Sequence, residues 1–393
     1  MIARIYFDHS ATTPLDPRVL EAMLPYLDGA FGNPSSLHRE GRIARDAVQT
    51  ARAQVADLIG ADPKEIIFTA SGTESDNLAL IGAVHAIGTP GHIVTTSIEH
   101  PAILQTCRHL ASTGTKITYL PVNREGIVST SSLLRALQQN VTLVSIMAAN
   151  NVVGTLQPIE ELAHLTKLHG ALFHTDAVQA GGKVPLDVNR LQIDLLSLSA
   201  HKLHGPKGIG ALYVRKGTGL EPIIFGGGQE GGLRSATENV AAIVGFGAAA
   251  AIAKTELAEE VSRLRELRDH IVEQLERRCP DVYIFGDREQ RLPGHLSIGF
   301  CEHESEVAKV LTQLDSQGIA ISAGSACNAN HSGEPSHVLL AMGYDDERAR
   351  GLIRISLGRF NTRDEVEHFV ETLVSSARKL KFSSECPQQL ASA

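Results

Sequence analysis

Two apolar runs end on residues able to do chemistry. Ala171-Leu172-Phe173-His174-Thr175-Asp176 stops on a carboxylate, and Asp194-Leu195-Leu196-Ser197-Leu198-Ser199 runs into Ala200-His201-Lys202 and a Gly/Pro turn. Each run reads as a buried strand. In open α/β sheets, ligands bind outside the carboxyl ends of the strands. If both runs are parallel strands of one sheet, Asp176 and Lys202 reach the same rim. An amine and an acid meeting there suit pyridoxal phosphate (PLP), with the Lys as Schiff-base partner and the Asp keeping the pyridine nitrogen protonated. The alternative is a solvated basic turn after one strand and a chance acid after another.

The surrounding pattern supplies the elements that such a rim needs. Strands are predicted at 65–69, 92–96, 116–120, 142–148, 171–176 and 193–198, with 211–215 and 222–225 as further strands. Helices are predicted from 38 to 59, from the loop at 70–77 to about 87, and near 101–112, 129–138 and 158–169. In the first of these, Ile43, Ala44, Ala47, Val48, Ala51, Val55, Leu58 and Ile59 share one face. Asp16 is placed as a helix cap with Pro17 at the first helical position. This alternation calls for a mostly parallel sheet covered on both faces. After a glycine cluster at 226–232, a long helix is expected over about 239–278. Beyond it come strands at 282–286, 294–299 and 319–322 and helices at 304–317, 335–342 and 363–380. The expected organisation is a large unit over 17–256 and a smaller α+β unit built from 1–16 and 257–393.

The strand at 65–69 leads through Ala70-Ser71-Gly72-Thr73-Glu74 into a helix, an anion-binding layout with free N–H groups facing a phosphate. Ser71 or Thr73 would equally serve as a plain cap.

Further segments stand in order along the chain. They are Asp8-His9-Ser10-Ala11-Thr12-Thr13-Pro14, Thr73-Glu74-Ser75-Asp76-Asn77, Glu99-His100, Asn150-Asn151, Asp176-Ala177-Val178-Gln179, Ser199-Ala200-His201-Lys202, Arg234-Ser235-Ala236-Thr237, Gly324-Ser325-Ala326-Cys327 and Arg354-Ile355-Ser356-Leu357-Gly358-Arg359. Together they resemble the PLP-dependent cysteine desulfurases of iron–sulfur cluster assembly, over residues 4 to about 380. Gly-Ser-Ala-Cys marks the branch with a long cysteine loop. The resemblance implies a fold type I PLP transferase, with a mostly parallel seven-stranded sheet in the large unit.

It also implies roles. Lys202 would bond PLP and shuttle protons, Asp176 would pair with the ring nitrogen, and His100 would stack on the ring and act as acid or base. A cap before Pro101 is the plainer role for His100. Gln179 would reach the phenol oxygen, and Asn151 that oxygen and the substrate carboxylate. Gly72, Thr73, Ser199 and His201 would hold the phosphate. Thr237 matches a residue supplied from a second subunit, so a homodimer is implied. Arg354 offers a planar fork for the α-carboxylate of L-cysteine. Val152 stands where the family often has Glu, and Ala200 and Ala236 where Gly is common.

Cys327 is the implied nucleophile. A free thiol is only about 3% ionised at pH 7, so attack needs a local base or a proton handed to the substrate. Attack on the substrate sulfur would leave a persulfide on Cys327 and release alanine. The segment 322–334 is rich in Gly, Ser, Ala, Asn and His, a composition that suits a mobile loop. Five residues from Ser322 span at most about 17 Å. That reach would let Cys327 visit the cofactor and then deliver sulfur to an acceptor protein such as an iron–sulfur scaffold.

Bulk properties bound the alternatives. The chain has 393 residues, 43% of them apolar, and a net charge of −8, which argues against a nucleic-acid-binding face. Five cysteines without a Cys-x-x-Cys pair suggest free thiols in a reducing cytoplasm. No signal core stands at the N-terminus, and no run reaches the roughly 20 apolar residues of a membrane span. Cys327 and His331, and Cys301 with His303 and Glu304, are mixed, isolated pairs rather than a structural zinc set, so no metal site is expected. A selenocysteine lyase or a cysteine C–S lyase on the same scaffold would use the same Lys202 and Asp176. A non-catalytic docking scaffold is the reading from a different class.

Overall fold

The computed structural model describes residues 4–88, 90–301, 306–323 and 334–379. The large sheet has seven strands: β2 (Ile66–Thr69), β3 (His92–Thr96), β4 (Lys116–Leu120), β5 (Leu143–Ser145), β6 (Leu172–Asp176), β7 (Leu195–Ser199) and β8 (Gly210–Val214). Their spatial order is β2-β8-β7-β6-β5-β3-β4. β4, β3, β5, β6 and β7 run parallel, and β8 lies antiparallel to both β7 and β2. β2 therefore points the same way as β7, and its carboxyl end reaches the same rim. β3, β5, β6 and β7 are buried along almost their whole length because helices cover the sheet, whereas the edge strand β4 is partly exposed. Those helices include α1 (Pro17–Leu27), α2 (Arg39–Ile59), α3 (Gly72–Ala86), α4 (Pro101–Ser112), α5 (Thr130–Leu137) and α6 (Ile159–Leu168).

Local chemistry sets the helix ends. Asp16 accepts the Arg18 N–H with Pro17 at the first position, as the sequence indicated. α2 stops at Gly60, whose φ of +69° closes the left-handed cap. Ile43 departs from the expected apolar face: it is 41% exposed, and Gly41 is buried instead. A Cβ at Gly41 would lie 2.3 Å from the Ser36 carbonyl oxygen, so the incoming chain packs on this side of the first turn.

α7 (Val240–Arg278) joins two cores. Its first half buries Ala242, Phe246, Ala249 and Ala250 with α1 and α2, while Leu264, Leu267, Ile271 and Leu275 enter the second core. By length and composition alone this helix is long and apolar enough to cross a membrane, although no unbroken apolar run in it reaches that length. Half of its apolar window is buried within the fold, as in a core helix.

The second core lies on a four-stranded antiparallel sheet. With β1 (Ile5–Tyr6) opening the chain, its strands are β9 (Val282–Ile284), β10 (His295–Phe300), β12 (Ser322–Ala323) and β13 (Ile353–Ser356). β11 (Ile319–Ala320) pairs in parallel with β1. α8 (Val307–Ser316), α9 (His337–Ala341), α10 (Asp346–Arg350) and α11 (Arg363–Lys379) complete the elements. Phe7 is fully buried against Phe369, edge to face at 5.4 Å, which ties the N-terminal segment to this core.

Two further expectations are corrected. Residues 222–225 form bends rather than a strand: β2 already occupies the edge beside β8, and Phe225 is 81% exposed. Among the described cysteines, Cys107 and Cys279 are buried and outside any disulfide, whereas Cys301 is disulfide-bonded rather than a reduced thiol. Cys327 and the Gly-Ser-Ala-Cys segment lie outside the described residues, as does the segment after Lys379.

Candidate active site

After β3 the chain turns outward to β4, then returns to β5 on the other side of β3. Such a switch opens a crevice at the carboxyl rim. A cavity of about 330 Å³ lies there, and its walls come from the loops after β2, β3, β5, β6 and β7. Gly72, Thr73, His100, Asn151, Asp176, Gln179, Ser199, His201 and Lys202 all line it.

Lys202 closes a single helical turn directly after β7 and is 8% exposed. Its Nζ donates to the carbonyl oxygens of Ser10 and Ala11, at 2.5 and 2.7 Å. The N-terminal segment thus clamps the amine at the rim. Asp176 ends β6, in register with Ser197 of β7. The Val178 N–H bonds its Oδ1 at 2.9 Å. Burial pushes this carboxyl above its usual range, opposed by the charges of His100 and Lys202. A cationic group inside the cavity would favour the ionised form.

His100 takes the plainer of the two roles that the sequence left open, and it also lines the cavity. Its Nδ1 caps α4 by accepting the Ala102 N–H at 3.1 Å, and the ring faces the cavity. Gln179 donates Nε2 to the Ser10 carbonyl, while its buried Oε1 has no partner. Asn150 folds the loop beside it, accepting from Val152 and Val153 and donating to Ile98, and so presents Asn151.

At the opposite end, Ser71 caps α3 by accepting the Glu74 N–H. A Cβ on Gly72 would meet Val178 Cγ2 at 2.6 Å, so only glycine lets the backbone approach this closely. His201 Nδ1 lies 3.0 Å from Thr12 Oγ1, and burial followed by the Lys202 charge pulls its pKa down to about 4. A neutral ring there keeps one N–H available to an anion.

Two expected residues lie elsewhere. Thr237 is exposed and does not line the cavity of this chain. Arg354 is fully buried on β13, bonded to the Asn151 carbonyl at 3.1 Å and to Asp8 Oδ1 at 2.9 Å, with Nε unpartnered. It contacts the loop that carries Asn151 rather than lining the cavity.

Two further buried acids, Asp76 and Glu99, stand near the site. Asp76 lines the cavity with its buried Oδ1 unbonded, and burial followed by the Asp176 charge raises its carboxyl well above the usual range. His174 Nε2 lies 3.7 Å from that oxygen, but burial lowers the His174 pKa to about 3. With His174 uncharged, the contact is not an ion pair. Burial also raises Glu99 to about 8, where it accepts from Thr96 and the Met147 N–H. Nothing in a strand-by-strand pattern signals that these acids are buried near one another.

The fold and cavity first define a class: an α/β scaffold whose ligand site joins a clamped lysine, a buried aspartate and an anion cradle. Residues 5–369 match the aminotransferase class-V family. The chain is 47% identical to the cysteine desulfurase IscS of Dictyoglomus turgidum, over 99% of this chain and 98% of that protein. It is also 47% identical to the IscS of Methanosarcina thermophila, over 96% and 93%. Among solved structures, a NifS-like protein superimposes with a TM-score of 0.89 at 40% identity, over 96% of this chain and all of that one. SspA in complex with cysteine gives 0.80 at 40% identity, over 91% of this chain and all of that one. The chain belongs to the class-V aminotransferase family as one of its cysteine desulfurases, and it is a PLP-dependent enzyme.

The residues present fit that cofactor. The glycine cradle at Gly72 and a buried acid opposite a buried amine match its phosphate and ring nitrogen, and the unpartnered Gln179 Oε1 can accept from its phenol O–H.

Proposed function

We propose that this enzyme takes sulfur from L-cysteine onto Cys327, releases L-alanine and passes the sulfur to an acceptor protein of iron–sulfur cluster assembly. The observation that carries the reading is the convergence of Lys202, Asp176, His100 and the Gly72 cradle on one cavity. PLP, when bound, supplies an electron sink for bonds at the substrate Cα. Lys202 would hold it and move protons, and Asp176 would keep the ring nitrogen charged. Gln179 and Asn151 would face its phenol oxygen. Gly72, Thr73, Ser199 and His201 would hold the phosphate.

Arg354 would take the substrate carboxylate by exchanging its Asp8 contact for the new acid. His100, which lines the cavity, would take the Cys327 thiol proton and later return it to the alanine carbon. The Cys327 thiolate would then attack the substrate sulfur. The Cβ–S bond breaks toward carbon, a proton completes alanine, and the sulfur stays on Cys327 as a persulfide.

The exposed Thr237 fits a role in the site of a second copy, so we read the working form as a homodimer. The large unit would span 17–256, with 1–16 and 257–393 as the small one. A cytoplasmic setting suits a thiol nucleophile.

Product analysis with L-cysteine tests the reading. Alanine and protein-bound sulfur are expected, whereas pyruvate and ammonia would indicate a C–S lyase. Faster turnover of selenocysteine would favour the lyase specific for it. Lys202→Ala should abolish the cofactor's absorbance band; a chain without such a band would be a scaffold.

A further inference from the structure

Behind Lys202, on the side away from the cofactor cavity, lies a second cavity of about 50 Å³. Lys202 lines both cavities, and Lys183 lines only this one. Lys183 sits on the turn after β6, four residues past Gln179. Its position is over-determined: Gly182 has φ +68°, and Cβ atoms there and at Gly181 would meet Ala253 at 3.0 Å and Leu198 at 2.6 Å. Lys183 Nζ makes no hydrogen bond or ion pair among the described residues.

Its surroundings are cationic. Lys202 and Arg354 are the charged groups acting on it. His9 from the N-terminal segment, His201 and His204 from the lysine turn and His295 from β10 all feel its charge. Glu260 and Arg359 stand on the walls of the same cavity.

We propose that Lys183 is a second amine coupled to Lys202, a positioning residue whose charge sets how readily the Lys202 nitrogen takes up a proton. Like charges in one poorly solvated space disfavour double protonation, and two such amines titrate as a pair. A neighbouring cation is a recognised way to keep a cofactor-bonding lysine reactive. Burial and the Lys202 charge lower Lys183 to about 7, consistent with this coupling. The pair then carries one charge more easily than two, and Lys202 gives up its proton more readily than it would beside a neutral side chain.

The inference rests on Lys202 being the amine that bonds the cofactor, and the test separates the two claims. The visible absorbance of the holoenzyme is titrated with pH in the wild type, Lys183→Arg and Lys183→Met, with Lys183→Gln as a second neutral variant. A permanent cation should hold the spectral midpoint low and a neutral side chain should let it rise. The Arg midpoint is expected below the Met and Gln midpoints by about half a unit or more, roughly a threefold change in proton affinity, with the wild type between them. Equal midpoints, or the reverse order, would overturn the coupling. A band that survives in Lys202→Ala would instead overturn the assignment of Lys202.

Discussion

Gly72→Ala places one methyl group where the cofactor cradle has no space. The added Cβ would lie 2.6 Å from Val178 Cγ2 and 3.4 Å from Ser199 Cβ. Ordinary carbon contacts begin near 3.4 Å, so the Val178 contact must open by about 0.8 Å. Val178 is β-branched and stiff at χ1. Its N–H also holds Asp176 Oδ1 at 2.9 Å, so pushing it away disturbs the acid proposed to hold the ring nitrogen. Overpacking of this kind costs about 1–3 kcal/mol. Expressed at the cofactor site, that is about 5- to 150-fold in affinity. The assay is PLP titration of the cofactor-free enzyme, followed by absorbance. Val178→Ala removes the obstructing methyl, so the double variant should recover most of the loss, with a coupling of about 0.5–3 kcal/mol. Wild-type affinity in Gly72→Ala, or no recovery in the double variant, would refute the steric account.

Other outcomes follow from the same geometry. Glu99 is pushed up to about 8, so between pH 4.5 and 8 the folded chain holds a proton that the unfolded chain has lost. Its contribution to stability therefore falls as pH rises through that window, by up to about 1.4 kcal/mol per unit. Glu99→Gln should gain stability on the wild type from pH 5 to pH 8 in denaturant titrations; a constant difference would contradict this. Arg52 binds Glu230 at 2.7 Å through both nitrogens, and Glu230 also holds the Phe68 N–H. Arg52→Ala should cost about 3–5 kcal/mol by leaving a buried carboxylate alone; a loss under about 1 kcal/mol would count against it. Burial pushes the Cys107 thiol up to about 12, so Cys107→Ser should retain activity, and its loss in a folded variant would implicate that thiol.

The legible part of the sequence was the part written in local patterns. Asp176 and Lys202 each end an apolar run, and strand ends fix direction, so their meeting at one rim followed from topology. Asp16-Pro17 and the small residues before α3 announced their helices by capping chemistry. Residues 222–225 look like a strand by composition, but sheet edges are allocated by pairing, and β2 holds that position. Ile43 follows the helical period yet lies outside, because Gly41 admits the incoming backbone. Asp76, Glu99 and Lys183 were passed over for a different reason. Their chemistry arises from burial beside other titratable groups, and burial depends on which segments meet in space.

The most direct measurement is mass spectrometry of the enzyme after one equivalent of L-cysteine, in the wild type and in Cys327→Ala. One extra sulfur on the peptide containing Cys327, with alanine released, is the expected result. The alanine variant should keep its bound cofactor and release no sulfur. Undiminished sulfur release by Cys327→Ala, or sulfur found on a different cysteine, would contradict the account.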